Sequence, residues 1–179
     1  MTDSNRKGSR GELQVRDLIR PWWGLLEPEA VFTRTPRSGG WHGAGDYDMA
    51  GDLMTTAKLF PFCVEVKWRE PWVPERVFRG ERSPVWKWWE QACGDALKTI
   101  PFRVPMLWFR RRDIQWLVML QKSYIDRNRM AERMLTPDFV ACPHEVMTQG
   151  VGAEGAVVIY RAARFLQHDP SVFTRVRRV

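Results

Sequence analysis

From Phe62 to Trp68 the chain alternates, with Val64, Val66 and Trp68 interleaved between Cys63, Glu65 and Lys67. That period of two predicts a strand with one buried face. Upstream, Ser9-Arg10-Gly11-Glu12 fits the S-x-x-E capping box, and Leu13, Leu18 and Ile19 supply the apolar stripe of a helix that Pro21 ends. The polar Met1 to Lys7 stretch before it is expected to be loose. Ala30 to Thr35 predicts a first strand, and Asp52-Leu53-Met54 begins a second, turned by 58–61 into the Glu65 strand as a hairpin. Between them, 36–51 is a Gly-rich loop, longer than a connection requires.

Past Lys67, Pro71 and Pro74 mark an excursion over the surface. Ser83-Pro84 then opens a helix whose Trp86, Trp89, Cys93, Ala96, Leu97 and Ile100 follow helical spacing. Two apolar runs, 104–109 and 114–120, flank Arg110-Arg111-Arg112-Asp113 and predict a hairpin with a basic tip, either a solvated turn or a phosphate contact. A helix over 123–135, a strand over 156–160 and a short helix over 161–167 follow, before a basic end at 175–178. The length and pattern predict one domain over 1–179.

Composition narrows the partners. A formal charge of +7 on 179 residues favours a polyanion, nucleic acid ahead of a membrane surface. The ten tryptophans are expected to be core mass more than base-stacking faces. Cys63, Cys93 and Cys142 are odd in number and far apart, which argues against a disulfide framework and for a reducing, cytoplasmic compartment. His42, His144 and His168 make no zinc-ligand spacing, and no apolar run reaches the length of a membrane span.

The candidate chemistry rests on acids. Glu65 and Lys67 leave the same face of their strand; taken alone, an E-x-K triplet is best read as an ion pair on a half-buried strand. Asp52 lies thirteen positions before Glu65, enough for two short strands to bring the carboxylates together, with Asp46 and Asp48 as alternatives in the loop. Glu12 has a structural role in the capping box and would also be fixed in place by it. Three carboxylates and a lysine on a helix and two strands suit magnesium or manganese, which lowers the pKa of a bound water and polarises a phosphate. The reaction implied is in-line attack on a phosphodiester. A DNA-binding protein without catalysis is the contrasting reading, and it gives the acids no purpose.

The order helix-Glu, strand, Asp, Glu-x-Lys, helix, two strands resembles the PD-(D/E)XK nuclease superfamily. Within it, Arg6-Lys7-Gly8-Ser9-Arg10-Gly11-Glu12 and Arg37-Ser38-Gly39-Gly40 resemble the opening segments of archaeal-type Holliday junction resolvases and their phage relatives. The resemblance covers roughly the first 120 residues and implies a core at roughly 8–121, with 122–179 packed on it as an extension. It implies an α/β, restriction-endonuclease-like αβββαβ core with a mixed central sheet, magnesium-dependent cleavage of four-way DNA junctions, and a homodimer. By position it implies Glu12, Asp52, Glu65, Lys67 and Ser38 as catalytic residues, Asp52, Glu65 and Val66 as metal-holding positions, and Lys7, Arg10 and Arg37 as DNA contacts. Gln91 falls where some relatives carry an active-site glutamine. Another nuclease on the same core, of phage recombination or restriction type, is the alternative.

Overall fold

The computed structural model describes residues 3–35, 50–143 and 155–174, with the side chains of 3–7 outside that description. The elements are α1 (Asp3–Trp23), β1 (Phe32–Arg34), β2 (Leu53–Thr55), β3 (Phe62–Trp68), α2 (Pro74–Phe78), α3 (Pro84–Ala96), β4 (Val104–Arg110), β5 (Leu117–Gln121), α4 (Lys122–Arg127), α5 (Arg129–Met134), β6 (Phe139–Ala141), β7 (Val157–Arg161) and α6 (Ala162–Phe165). A 3-10 turn, Pro170–Phe173, follows. Five strands form one mixed sheet in the order β3-β4-β5-β7-β6, with β3 parallel to β4 and the other neighbours antiparallel. The α1-β1-β2-β3-α2-α3-β4 order, in which the short α2 is an insertion, and the helix-flanked mixed sheet match the expected restriction-endonuclease-like core. Residues beyond 121 contribute β7 and β6 to that same sheet.

Helices cover both faces of the sheet, and the core is therefore double. On one side Val15, Ile19 and Trp23 of α1 meet Val64, Val66, Met106, Trp108, Val118 and Tyr160. On the other, Val85, Trp86, Trp89 and Cys93 of α3 meet Leu107, Phe109, Met119 and Ile159. This corrects the expectation of a single buried face for β3, because Phe62 to Val66 are buried without a break. A strand with helices on both sides has no solvent face to keep polar. The tryptophans went where expected, with Trp22, Trp23, Trp72, Trp86, Trp89, Trp108 and Trp116 all buried.

Several boundaries moved. Helix α1 begins at Asp3, so Ser9 lies inside it and caps nothing, and 3–7 is helical where looseness was expected. Pro21 sits within the last turn and does not stop the helix, which runs on to Trp23. Proline's missing N–H is absorbed there because the following Gly24 N–H still reaches the carbonyl of Arg20 at 2.9 Å. Helix α3 begins as expected, with the Ser83 hydroxyl accepting from the Val85 N–H, but ends at Ala96, leaving Leu97 and Ile100 exposed. The surface excursion after Lys67 contains α2 and buries Trp72 and Val77. The single helix over 123–135 is two, divided at buried Asn128, whose side chain caps α5 through the Ala131 N–H and donates to the carbonyl of Val172.

Candidate active site

Strand β2 pairs antiparallel with β1, not with β3, so the expected β2–β3 hairpin does not form. Asp52 reaches β3 by another route. Its N–H donates to the carbonyl of Val64 at 2.8 Å, and its Oδ2 accepts from the N–H of Val66, also at 2.8 Å. Two hydrogen bonds thus lock the carboxylate against the edge strand of the main sheet, beside Glu65. The chain can come this close because residue 51 is glycine. Gly51 has φ +81°, and a Cβ there would lie 2.6 Å from the Val64 carbonyl oxygen. The end of β1 holds the same turn in place: the Thr35 N–H donates to the carbonyl of Asp52, and its hydroxyl donates to that of Gly51.

Glu65 and Lys67 project from β3 toward the α3 face. Glu65 is 2 % exposed. The Lys67 ammonium lies 2.5 Å from Glu65 Oε1 as an ion pair, yet among the described residues that oxygen receives no well-directed hydrogen bond. The electrostatics follow. Burial, reinforced by the negative charge of Asp52 and opposed by Lys67, pushes the Glu65 carboxyl up to about 8. Burial likewise pushes Asp52 up to about 6, the Val66 N–H opposing and Glu12 adding repulsion. Two adjacent buried carboxylates share one ammonium, and the compensation is incomplete.

Glu12, on α1, is also buried and close enough to repel Asp52, but its carboxylate is engaged by the Arg34 guanidinium from β1. Among the described residues no group of three acids, histidines or cysteines stands together as a metal-ligand set. The close constellation is therefore Asp52, Glu65 and Lys67 around the Val66 backbone, with Glu12 at its margin and tied to Arg34. Arg10 is exposed on α1. The Lys7 side chain, Arg37, Ser38, Asp46 and Asp48 lie outside the described residues. Gln91 is exposed on α3.

Two neighbours escaped the sequence reading. Asp95, one turn beyond Gln91 on α3, adds negative potential to both Asp52 and Glu65 and is paired with Lys98 at 2.6 Å. Its spacing from Gln91 placed it on the same helix face, a signal too weak to single it out. Arg34 had no signal, since its partner comes from a helix 22 positions away.

A mixed sheet between helices, with an aspartate and a Glu-x-Lys pair meeting at its edge strand, defines a protein of the restriction-endonuclease-like class. Residues 3–143 match the model of a family described as "Phage putative PDDEXK endonuclease", and the chain belongs to that nuclease family. It is similar to Protein D14 of Escherichia phage T5, 32% identical over 127 residues that span 68% of this chain and 72% of that protein. No solved structure matches it. Among the described residues no helix is long and apolar enough to cross a membrane.

Proposed function

We propose that this protein is a magnesium-dependent, structure-selective DNA endonuclease that resolves four-way junctions as a homodimer, in the compartment where phage DNA recombines. The observation that carries the catalytic part is the contact of Asp52 with the Val66 N–H, which sets its carboxylate beside buried Glu65 and Lys67. The donor set fits a hard divalent cation. Both carboxyls are raised by burial, and Glu65 Oε1 is short of a directed partner, so a cation relieves what the ammonium leaves uncompensated. Asp52, Glu65 and the Val66 carbonyl would hold it, with manganese able to substitute.

When bound, such a cation polarises a phosphodiester oxygen and acidifies a water. The chain's own residues do the rest. Lys67, held at the mouth of the carboxylate pair, donates toward the attacking water or the charge that develops on phosphorus. Glu12 and Arg34 form a neutral pair beside the site, where Glu12 orients and Arg34 tempers the negative field facing the DNA. Ser38, Lys7, Arg10 and Arg37 belong to the same reading as contacts to the substrate backbone. The +7 charge supplies the general attraction.

The junction preference rests on the likeness of the opening segments to resolvases. The experiment compares cleavage of a synthetic four-way junction with that of a linear duplex of the same sequence, with and without magnesium. Paired, symmetric cuts in the junction, far faster than any cut in the duplex and absent without a divalent ion, are expected. Equal rates on the two substrates would assign the chain to general PDDEXK nucleases of recombination or restriction type.

A further inference from the structure

At the end of β3, one residue past Lys67, stands an arrangement that the catalytic reading does not use. Arg110, the last residue of β4, is in register with Trp68, the last residue of the parallel β3. Its guanidinium carbon lies 4.6 Å from the Trp68 ring centroid and 5.4 Å from that of Trp116, and the two indoles meet edge to face at 6.4 Å. Helix α1 rests on the same pair: a Cβ at Gly11 would touch Trp116, Trp68 and Val66 at 3.4–3.6 Å. Exposed Arg10 is the next residue along that helix.

The neighbouring arginine is spent differently. Arg111 is bound to both oxygens of Asp113 and to the carbonyl of Trp72. Arg110 has no carboxylate among the described residues; apart from the two rings it makes one long bond, Nε to the Arg111 carbonyl at 3.4 Å. A half-buried guanidinium clamped by aromatic faces, its terminal nitrogens without a partner among the described residues, has little further freedom to lose on binding an anion.

We propose that Arg110, clamped by Trp68 and Trp116, anchors a backbone phosphate of the DNA strand being cut, about 10 Å along β3 from Glu65. Side chains at 65 and 67 leave β3 on the α3 face, and those of Trp68 and Arg110 on the α1 face. A nucleic-acid strand lying across the end of this edge strand therefore meets Lys67 on one side and Arg110 on the other. The proposal deepens the nuclease reading and rests on it. Arg110 is a positioning residue, acting on where the substrate lies.

The test measures binding of a fluorescein-labelled four-way junction by anisotropy, without divalent ions, across a series of salt concentrations. Arg110→Met keeps an unbranched stem against the indoles and removes the charge; Arg133→Gln, an exposed position on α5 beyond the opposite end of the sheet, removes one charge away from the clamp. Arg110→Met is expected to weaken binding roughly tenfold and to lower the slope of log affinity against log salt by about 0.9, with Arg133→Gln near wild type. Wild-type affinity and slope in Arg110→Met overturn the anchor, as does an equal loss in Arg133→Gln. Should Arg110→Met fail to fold, Arg110→Lys decides: a wild-type slope with affinity down several-fold supports the anchor, since an ammonium keeps the charge but not the planar fork, and wild-type affinity overturns it. Cleavage by the wild-type chain is assayed alongside, with magnesium. A wild type that neither binds nor cuts DNA brings down the nuclease reading and the anchor together, whereas one that binds and cuts beside an unaltered Arg110→Met brings down the anchor alone.

Discussion

Asp52 and Glu65 each hold their proton more tightly in the folded chain than in the unfolded one, and the consequence has a definite sign. A carboxyl whose folded pKa is raised contributes full stability below its unfolded value and loses it as pH climbs through the folded value. The window runs from the ordinary 3.8 and 4.5 up to about 6 for Asp52 and about 8 for Glu65. The metal-free protein should therefore lose thermal stability between about pH 4 and about pH 8, on the order of a few kcal/mol and several degrees. Thermal unfolding followed by circular dichroism checks this. Glu65→Gln should flatten the profile, and magnesium should restore the wild-type midpoint most at the alkaline end. A Glu65→Gln profile as steep as wild type would show that the pH dependence lies elsewhere.

Among elements, the connection from β1 to β3 decides whether a site exists. Asp52 is not carried to Glu65 by strand pairing; it is delivered by a glycine turn that touches the Val64 carbonyl and by the hydrogen bonds of Thr35. Gly51→Ala should cost roughly 1–3 kcal/mol from the left-handed backbone and the 2.6 Å approach. It should also depress cleavage beyond what lost stability explains, because the displaced group is the Asp52 carboxylate. Chemical denaturation, together with cleavage assayed well below the unfolding midpoint, separates the two effects, and full activity in the variant would show that the turn does not position Asp52.

Strand alternation, the Ser83-Pro84 cap and the Trp86–Trp89–Cys93 stripe made β3 and α3 legible from residues alone, since each is a local signal. The start of α1 was misread because Ser9-x-x-Glu12 satisfies the capping spacing anywhere in a helix, and only the backbone shows whether the ladder begins there. The carboxylates themselves were legible as a spacing. Their separation into a close pair, Asp52 with Glu65, and a marginal Glu12 tied to Arg34 was not, because it depends on a contact between α1 and β1 that no local pattern encodes.

Taken whole, the molecule is a sheet covered on both faces, with β3 left at one edge and the Asp52–Glu65–Lys67 group against it. On the proposed reading, one such edge would cut one strand. Resolution of a junction needs two cuts, and hence two copies related by symmetry. Light scattering of the complex should return the mass of the junction DNA plus twice the 21.0 kDa chain mass; a stable single copy on the junction would contradict the symmetric mechanism while leaving the site intact.

The site itself is tested most directly by cleavage of junction DNA in magnesium by the wild type, Glu65→Ala and Lys67→Ala, each checked for folding and for DNA binding. Both variants should bind within a few-fold of wild type and cut at least roughly a hundredfold more slowly. Cleavage at the wild-type rate in folded Glu65→Ala and Lys67→Ala would place the chemistry somewhere other than the edge of β3.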